Sequence, residues 1–590
     1  MSKRKLTDTR SLGRKLLAGA LAVVLAIAVP IARCTGCGDV NNVSTNEKRE
    51  PSFDSGTYVG DAPPRWASMS EGLRYLPVEI VKNLKRPSST EKLKLIDEPL
   101  FAKPERFGMV PNPMDSQFPI GITKSNDGDE FVPMLGITCG ACHVGAVSNG
   151  REWTIVPGAP NLMTVNLFFG ELIGSLAATL ANPVAFDDLW KSYASSMNYR
   201  YDQSTMTETI IDEDDINGIY DGIITDRVLK LSNAYKNGAY PTKFDINTRG
   251  KLGAYLTLRL VELIGRANAP DDGVQLPLGT SNPWATTRSL FGTKWAHDDP
   301  ANLTPVGGAI TAPDIFNYGE RRWVFWSQAT NSMMERNLAQ GIALLGDVDW
   351  DTFQTTLSTK DLAAIEEASQ FIEPPTWPRI FNDVDRSLAS EGCKVFEKRC
   401  KGCHVGSSRS FERGSVEFGL YDVGTDPSYC EGVNASTLDY TSVPALVAPV
   451  AARVKSVAYD VEGRLDESGR TPVIWRAMEC NKFPARSLEG IWATGPFLHN
   501  GSVRTINDLL KPANEREKHF EVGSIELDQT KLGFRGDKTS SFTTTVDVTI
   551  HGMSNMGHEF TVSDPSQRFA LLEYLKIHHD TITCGESDEH

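Results

Sequence analysis

Two pentapeptides of one pattern constrain this 590-residue chain more than anything else in it: Cys139-Gly140-Ala141-Cys142-His143 and Cys400-Lys401-Gly402-Cys403-His404. With ten Cys and ten His in the chain, chance would produce such a string roughly 0.003 times. Two thiols separated by two residues can both reach one porphyrin edge, and the adjacent imidazole is then presented to the iron. A plain disulfide or a zinc half-site does not account for a His directly after both pairs. The strings predict two covalently bound haem c groups, attached through Cys139, Cys142, Cys400 and Cys403, with His143 and His404 as proximal ligands.

The compartment follows from the N-terminus. Lys3, Arg4, Lys5, Arg10, Arg14 and Lys15 precede an apolar run from Leu16 to Ala32 that Arg33 closes. The run reads as a signal peptide or a membrane anchor, with Ala26-Ile27-Ala28 as a cleavage site if it is removed. A lipid-bearing Cys34 fits poorly after Arg33. Basic residues hold that end in the cytoplasm and send the body outside, so the expected location is periplasmic or extracytoplasmic, tied to the inner membrane if the segment stays. Disulfides are allowed there, and Cys34, Cys37, Cys393, Cys430, Cys480 and Cys584 remain after the haem strings, enough for one or two bridges in the C-terminal third. A net charge of -15 makes nucleic acid an unsuitable partner.

Periodicity places three helices. Asn161 to Ala181 carries Leu162, Val165, Phe168, Phe169, Leu172, Ile173 and Leu176 at three and four spacing and stops at Asn182-Pro183. Asp385 to Cys400 brings Gly392 and Phe396 one turn apart, and Asp564-Pro565 opens a helix with Phe569, Leu572 and Leu575 on one face. The last two read as the crossed terminal helices of a cytochrome c domain. Residues 40 to 130 read as loop-rich packing, and no long alternating strand or internal repeat is visible. The expected fold is mainly α: a signal or membrane segment (1–33), an N-terminal haem c domain with insertions (34–378) and a C-terminal cytochrome c domain (379–590). Glu373-Pro374-Pro375-Thr376-Trp377-Pro378 serves as the stiff boundary. The acid-rich stretch Ile211 to Gly222 suits a solvated turn better than a calcium site, although one calcium ion is conceivable.

The face of each iron opposite its proximal His decides the chemistry. A second strong ligand makes an electron-transfer centre, whereas an open face admits oxygen or peroxide. His297 is the next His after His143, so the first haem has no imidazole near it in sequence and is the candidate for an open iron. His404 is followed by His499, His519, His551 and His558, with Met553 and Met556 nearby. His558 stands just before the final helix, where a cytochrome c loop delivers its sixth ligand, and is the expected one, with Met556 or Met553 as substitutes.

These residues resemble the bacterial di-haem cytochrome c peroxidase and MauG superfamily, and within it most closely the rubber-oxygenase-like branch. Beside the pentads, Gly495-Pro496-Phe497-Leu498-His499-Asn500-Gly501-Ser502-Val503 is similar to the family's C-terminal signature. The resemblance implies that His499 organises the haem surroundings by hydrogen bonding. It also implies that His558, in Gly557-His558-Glu559-Phe560, is the sixth ligand of the second haem. Ala312-Pro313-Asp314-Ile315-Phe316-Asn317 and Arg322-Trp323-Val324-Phe325-Trp326 are similar to two further family strings. On that match Trp326 takes the place of the tryptophan that relays electrons between the haems, with Trp323 the alternative register. Ser327-Gln328 and Phe316 depart from the family pattern. Leu345-Gly346-Asp347 occupies the region where true peroxidases carry an acid/base glutamate, which weakens a classical peroxidase reading.

The resulting expectation is an oxidoreductase with a reactive N-terminal haem and an electron-transfer C-terminal haem. Its partners would be oxygen or peroxide and an electron donor or organic substrate. The alternative is a pure di-haem electron carrier, which would need His297 or a Met on the first iron.

Overall fold

The computed structural model describes residues 56–125, 132–199, 210–220, 225–230, 246–267, 277–281, 308–346, 348–349, 354–404, 416–429, 431, 482–536, 542–577 and 584. Among them the fold is mixed, 37% helical and 17% strand, which corrects the mainly α expectation. The strands escape a periodicity reading because they are short, and two central ones are buried on both faces. Val144–Ser148 is buried at all five positions and pairs antiparallel with Glu152–Pro157, to which Thr57–Tyr58 adds in parallel. Met134–Ile137 is buried throughout as well and lies between Leu76–Pro77 and Ile122–Ser125. Strands of this kind present unbroken apolar runs without the alternation that marks a half-exposed strand.

The first predicted helix begins later than expected, at Val165, and runs to Ala181, because Asn161 to Thr164 are spent on turns that close the first haem string. Asn182 then caps the next helix, Pro183–Ser196, accepting from the amides of Val184 (3.0 Å) and Ala185 (3.1 Å), with Pro183 at the first helical position. The two helices meet at 103°. Arg249–Ala267 packs across the first, and a core of Leu73, Phe107, Phe168, Leu176, Trp190 and Tyr255 fills the space between these elements and the small sheets. Among the described residues no single helix is long and apolar enough to cross a membrane. The expected segment from Leu16 to Ala32, with Cys34 and Cys37, lies outside them.

The C-terminal pair of helices is Arg386–Arg399, capped by Asp385, and Pro565–Tyr574, capped by Asp564. They cross at Gly392, where an added Cβ would sit 1.9 Å from the carbonyl oxygen of Ala570, so no other side chain fits without moving a backbone. Leu572 and Leu575 are buried in the crossing as expected, but Phe569 is 46% exposed and is not part of that face. Cys393 bridges Cys584 across 191 positions of chain. Cys430 and Cys480 lie outside the described residues.

This second core also takes in Val147, Val156 and Phe316 from the N-terminal side, and Trp377, in the proline-rich stretch, packs on Phe381 and Trp492. The acid-rich segment forms a short helix, Glu213–Tyr220. Asp212 and Asp215 bond each other's amides and Asp215 also accepts from Thr225, and no group of three or more metal-binding side chains occurs among the described residues.

Candidate functional site

The first string folds as one helical turn, Gly140–His143, between a strand and the sheet edge that follows it. Its end is sealed by backbone bonds from Gly158 to His143 (2.8 Å) and from Asn161 to Cys142 (3.1 Å). The turn sets Cys142 and His143 in the wall of a cavity of about 1420 Å³, counting the part open to solvent. Cys139 is buried beside it, its Sγ donating to the carboxylate of the buried Glu71 at 3.1 Å. Burial, then the Glu71 charge, pushes the Cys142 thiol up to about 12. Burial, then the Arg336 cation, pushes His143 down to about 3, so its imidazole is the neutral form that binds metals. Among the described residues its Nδ1 makes no hydrogen bond of good geometry, although the Pro313 backbone lies close enough to raise the ring's basicity. Two thiols, a neutral imidazole and a large cavity fit a covalently held haem.

The cavity wall opposite this turn comes from residues 310–328 and the helix Met333–Ala343. Its acidic lining residue is Asp314, held between Arg321 and Arg486. Burial alone would raise this carboxyl, but the two guanidiniums outweigh it and hold it below the usual range. Trp323 and Trp326 both line the cavity. Trp323 donates to Glu417 (3.0 Å) at the outer edge. Trp326 donates from Nε1 to the carbonyl of Thr311 (2.7 Å), lies 6.3 Å edge-on from Phe483, and carries the Arg486 guanidinium 4.3 Å over its ring. Phe325 before it has φ 72°, a left-handed conformation costing a bulky residue about 1–3 kcal/mol and typical of functional turns. No second imidazole is among the described lining residues; Met163 supplies a thioether. His297 lies outside the described residues.

The second string continues the helix Arg386–Arg399. His404 is oriented by a 2.7 Å hydrogen bond from Nδ1 to the carbonyl of Arg486, which leaves Nε2 as the ligating nitrogen. Facing it is His558, with ring centres 6.2 Å apart. At that separation His404 and His558 would be able to hold one metal ion between them through ring nitrogens. Burial, then His404 and Arg516, pushes His558 down to about 4, again the neutral form.

His558 is held by its backbone. It has φ 50°, its amide donates to Val423 (2.7 Å), and Gly557 before it leaves no room for a Cβ against Gly424. Arg516, buried, donates to the carbonyls of Asn555, Gly557 and His558, while Asn500 and Ser502 hold Ser554. The substitute ligands are placed elsewhere: Met553 is fully buried in another cluster and Met556 is 54% exposed.

The His499 ring stacks on Phe483 at 4.4 Å and 12°, its Nδ1 has no hydrogen-bond partner among the described residues, and burial pushes it down to about 4. Its carbonyl accepts from the Thr311 amide (2.7 Å), and Thr311 in turn accepts from Trp326, so one residue ties His499 to the indole. Sequence reasoning missed Glu71, Thr311, Phe483, Arg486 and Arg516. They lie far from the haem strings, and single arginines and threonines carry no spacing signal.

Residues 482–521, which include Phe483, Arg486, His499 and Arg516, match the RoxA-like, cytochrome c-like family. The chain is 28% identical over 343 residues to the uncharacterized protein y4iJ of Sinorhizobium fredii, covering 47% of this chain and 56% of that protein. It is 24% identical over 310 residues to the uncharacterized protein y4iM of the same organism, covering 49% and 65%. The chain thus spans a little over half of one relative and just under two thirds of the other. The family match supports a rubber-oxygenase-like cytochrome and does not extend to the di-haem peroxidase and MauG superfamily. Over that segment the chain is similar to RoxA-like cytochromes c, which supports covalently bound haem c and haem-based oxidoreductase chemistry.

Proposed function

We propose that the protein is an extracytoplasmic oxidoreductase with two haem c groups, a reactive one on His143 and an electron-storing one on His404 and His558. Haem c supplies one-electron storage and a Lewis-acidic iron. The observation that carries the reading is the asymmetry of the two histidines: His404 faces a second imidazole at 6.2 Å, whereas His143 faces a cavity with no second imidazole among the described lining residues. The Cys393–Cys584 bridge and the N-terminal apolar run support a location beyond the inner membrane.

The chain's own groups define the rest. Asp314 is the carboxylate of the cavity wall, and two arginines keep it ionised and a weak proton acceptor, which favours oxygen over peroxide as the small substrate. Met163, Val165, Ile310, Ala339 and Leu344 give the wall an apolar side that suits an apolar organic substrate. Trp326 lines the cavity and lies under the side chain of Arg486, whose carbonyl orients His404, and through that residue it serves as the electron path between the sites.

Met163 favours one other reading, a pure electron carrier with a thioether on the first iron. EPR and resonance Raman spectra of the oxidised and reduced protein separate the two. One high-spin and one low-spin haem, with a carbon monoxide complex at the high-spin iron, is the expected result. Two low-spin haems and no exogenous ligand binding in any redox state would establish the carrier instead.

A further inference from the structure

We propose that Arg486 keeps the indole of Trp326 in its closed-shell form, so that charge crosses between the two sites through Trp326 without residing on it. The inference rests on the reading of Trp326 as the path between two haems, and it concerns how that path works. The guanidinium of Arg486 lies 4.3 Å from the ring centre. A cation over the π face attracts the neutral ring and repels the positive charge left there once an electron is removed. Asp314 compensates only in part. It contacts Arg486 at 3.3 Å and is also paired with Arg321, so Arg486 shares this carboxylate with a second guanidinium and the cation over the indole is only partly balanced.

The proton side of the ring adds to the effect. An oxidised indole can shed its charge by losing the Nε1 proton to a base, but here Nε1 donates to a backbone carbonyl, that of Thr311, which does not take up a proton. The oxidised ring would therefore keep its charge beneath Arg486. Phe483, edge-on at 6.3 Å, has no proton-accepting group to offer. The same Arg486 orients His404 through its carbonyl, which any side-chain replacement leaves in place, so the cation can be removed without removing that hydrogen bond.

The test uses the haem-loaded full chain and a photogenerated ruthenium(III) tris-bipyridine oxidant. This complex takes one electron from an indole, becomes ruthenium(II), and transfers no atom. Samples frozen after brief illumination are read by EPR for organic radical. In the otherwise unaltered protein, Trp326→Phe should leave the radical yield unchanged, since the other tryptophans supply it. In Arg486→Met the Trp326-dependent yield should rise by about tenfold or more. Adding Trp326→Phe to that variant should abolish the rise, and Arg486→Lys, which retains a cation, should stay near the unaltered protein. The low-spin signal of the His404 haem checks that Arg486→Met is folded. If it is not, the first comparison still decides, because a loss of radical on Trp326→Phe alone would show an indole oxidised readily under its arginine and would overturn the proposal. An unchanged yield in folded Arg486→Met would do the same. The relay reading fails separately: if electron exchange between the haems after carbon monoxide photolysis is as fast in Trp326→Phe as in the unaltered protein, Trp326 is not the path, and the proposal falls with it.

Discussion

Replacing His558 by Ala should convert the second haem from low spin to high spin, and the structure fixes how complete that conversion is. The variant removes one of two rings whose centres are 6.2 Å apart and leaves His404 oriented by Arg486 on the other side. A substitute ligand would have to come from the same loop. Met556 is the neighbouring candidate, but Arg516 holds three carbonyls around it, those of Asn555, Gly557 and His558. At about 1.5–3 kcal/mol for a hydrogen bond to a charged group, releasing all three costs roughly 4.5–9 kcal/mol, which opposes a shift of Met556 toward the vacated position. The loop therefore stays, and the vacancy is filled by water or added imidazole. Resonance Raman and EPR should show the high-spin share rising from one haem of two to both, with millimolar imidazole restoring the low-spin signal. An unchanged spectrum would remove His558 as a ligand, and a low-spin spectrum with a thioether signature would refute the claim that the loop is rigid.

Arg516→Ala should release the same loop without touching the ligand, giving a mixture of spin states and a stability loss of several kcal/mol in denaturant titration, because two buried carbonyls and a partly buried one lose their donor. Cys393→Ser opens a bridge that spans 191 positions, and the chain-entropy treatment sets an upper limit of about 5 kcal/mol on the loss. Urea unfolding of the oxidised protein with and without reductant reads it directly, and equal midpoints would exclude a stabilising role. Gly392→Val should prevent assembly of the crossed helices, with loss of near-ultraviolet dichroism and of haem incorporation, since its Cβ would meet the Ala570 carbonyl at 1.9 Å. The buried His499 is neutral in the fold with its pKa pushed down to about 4, while in the unfolded chain it titrates near its ordinary value of 6.5. The unfolded state therefore binds the proton first, and stability present above about pH 6.5 falls as the pH drops toward 4, by roughly 3 kcal/mol. His499→Phe should flatten that slope in pH-dependent thermal unfolding.

What could be read from the sequence divides along a physical line. The haem strings are legible because thioether attachment and iron ligation need fixed residues at fixed spacing, and the crossed helices because close approach demands Gly392 and capping demands Asp385 and Asp564. The strands around the first string are not, since Val144–Ser148 is buried at every position and offers no period to detect. The site is split in the same way. Trp326 and His558 stand in strings whose order carries information, but the residues that give them a local environment do so through backbone carbonyls and long, unpatterned side chains. The carbonyl of Arg486 reaches His404 from 82 positions away, and its guanidinium reaches Trp326 from a different direction. A carbonyl is present at every residue, so its use leaves no trace in the sequence. A single arginine is ordinary until the fold places an indole beneath it. The two strings and His558 are therefore a property of the sequence, whereas the contact that joins Trp326 to His404 is a property of the packing, carried by Arg486, which touches both.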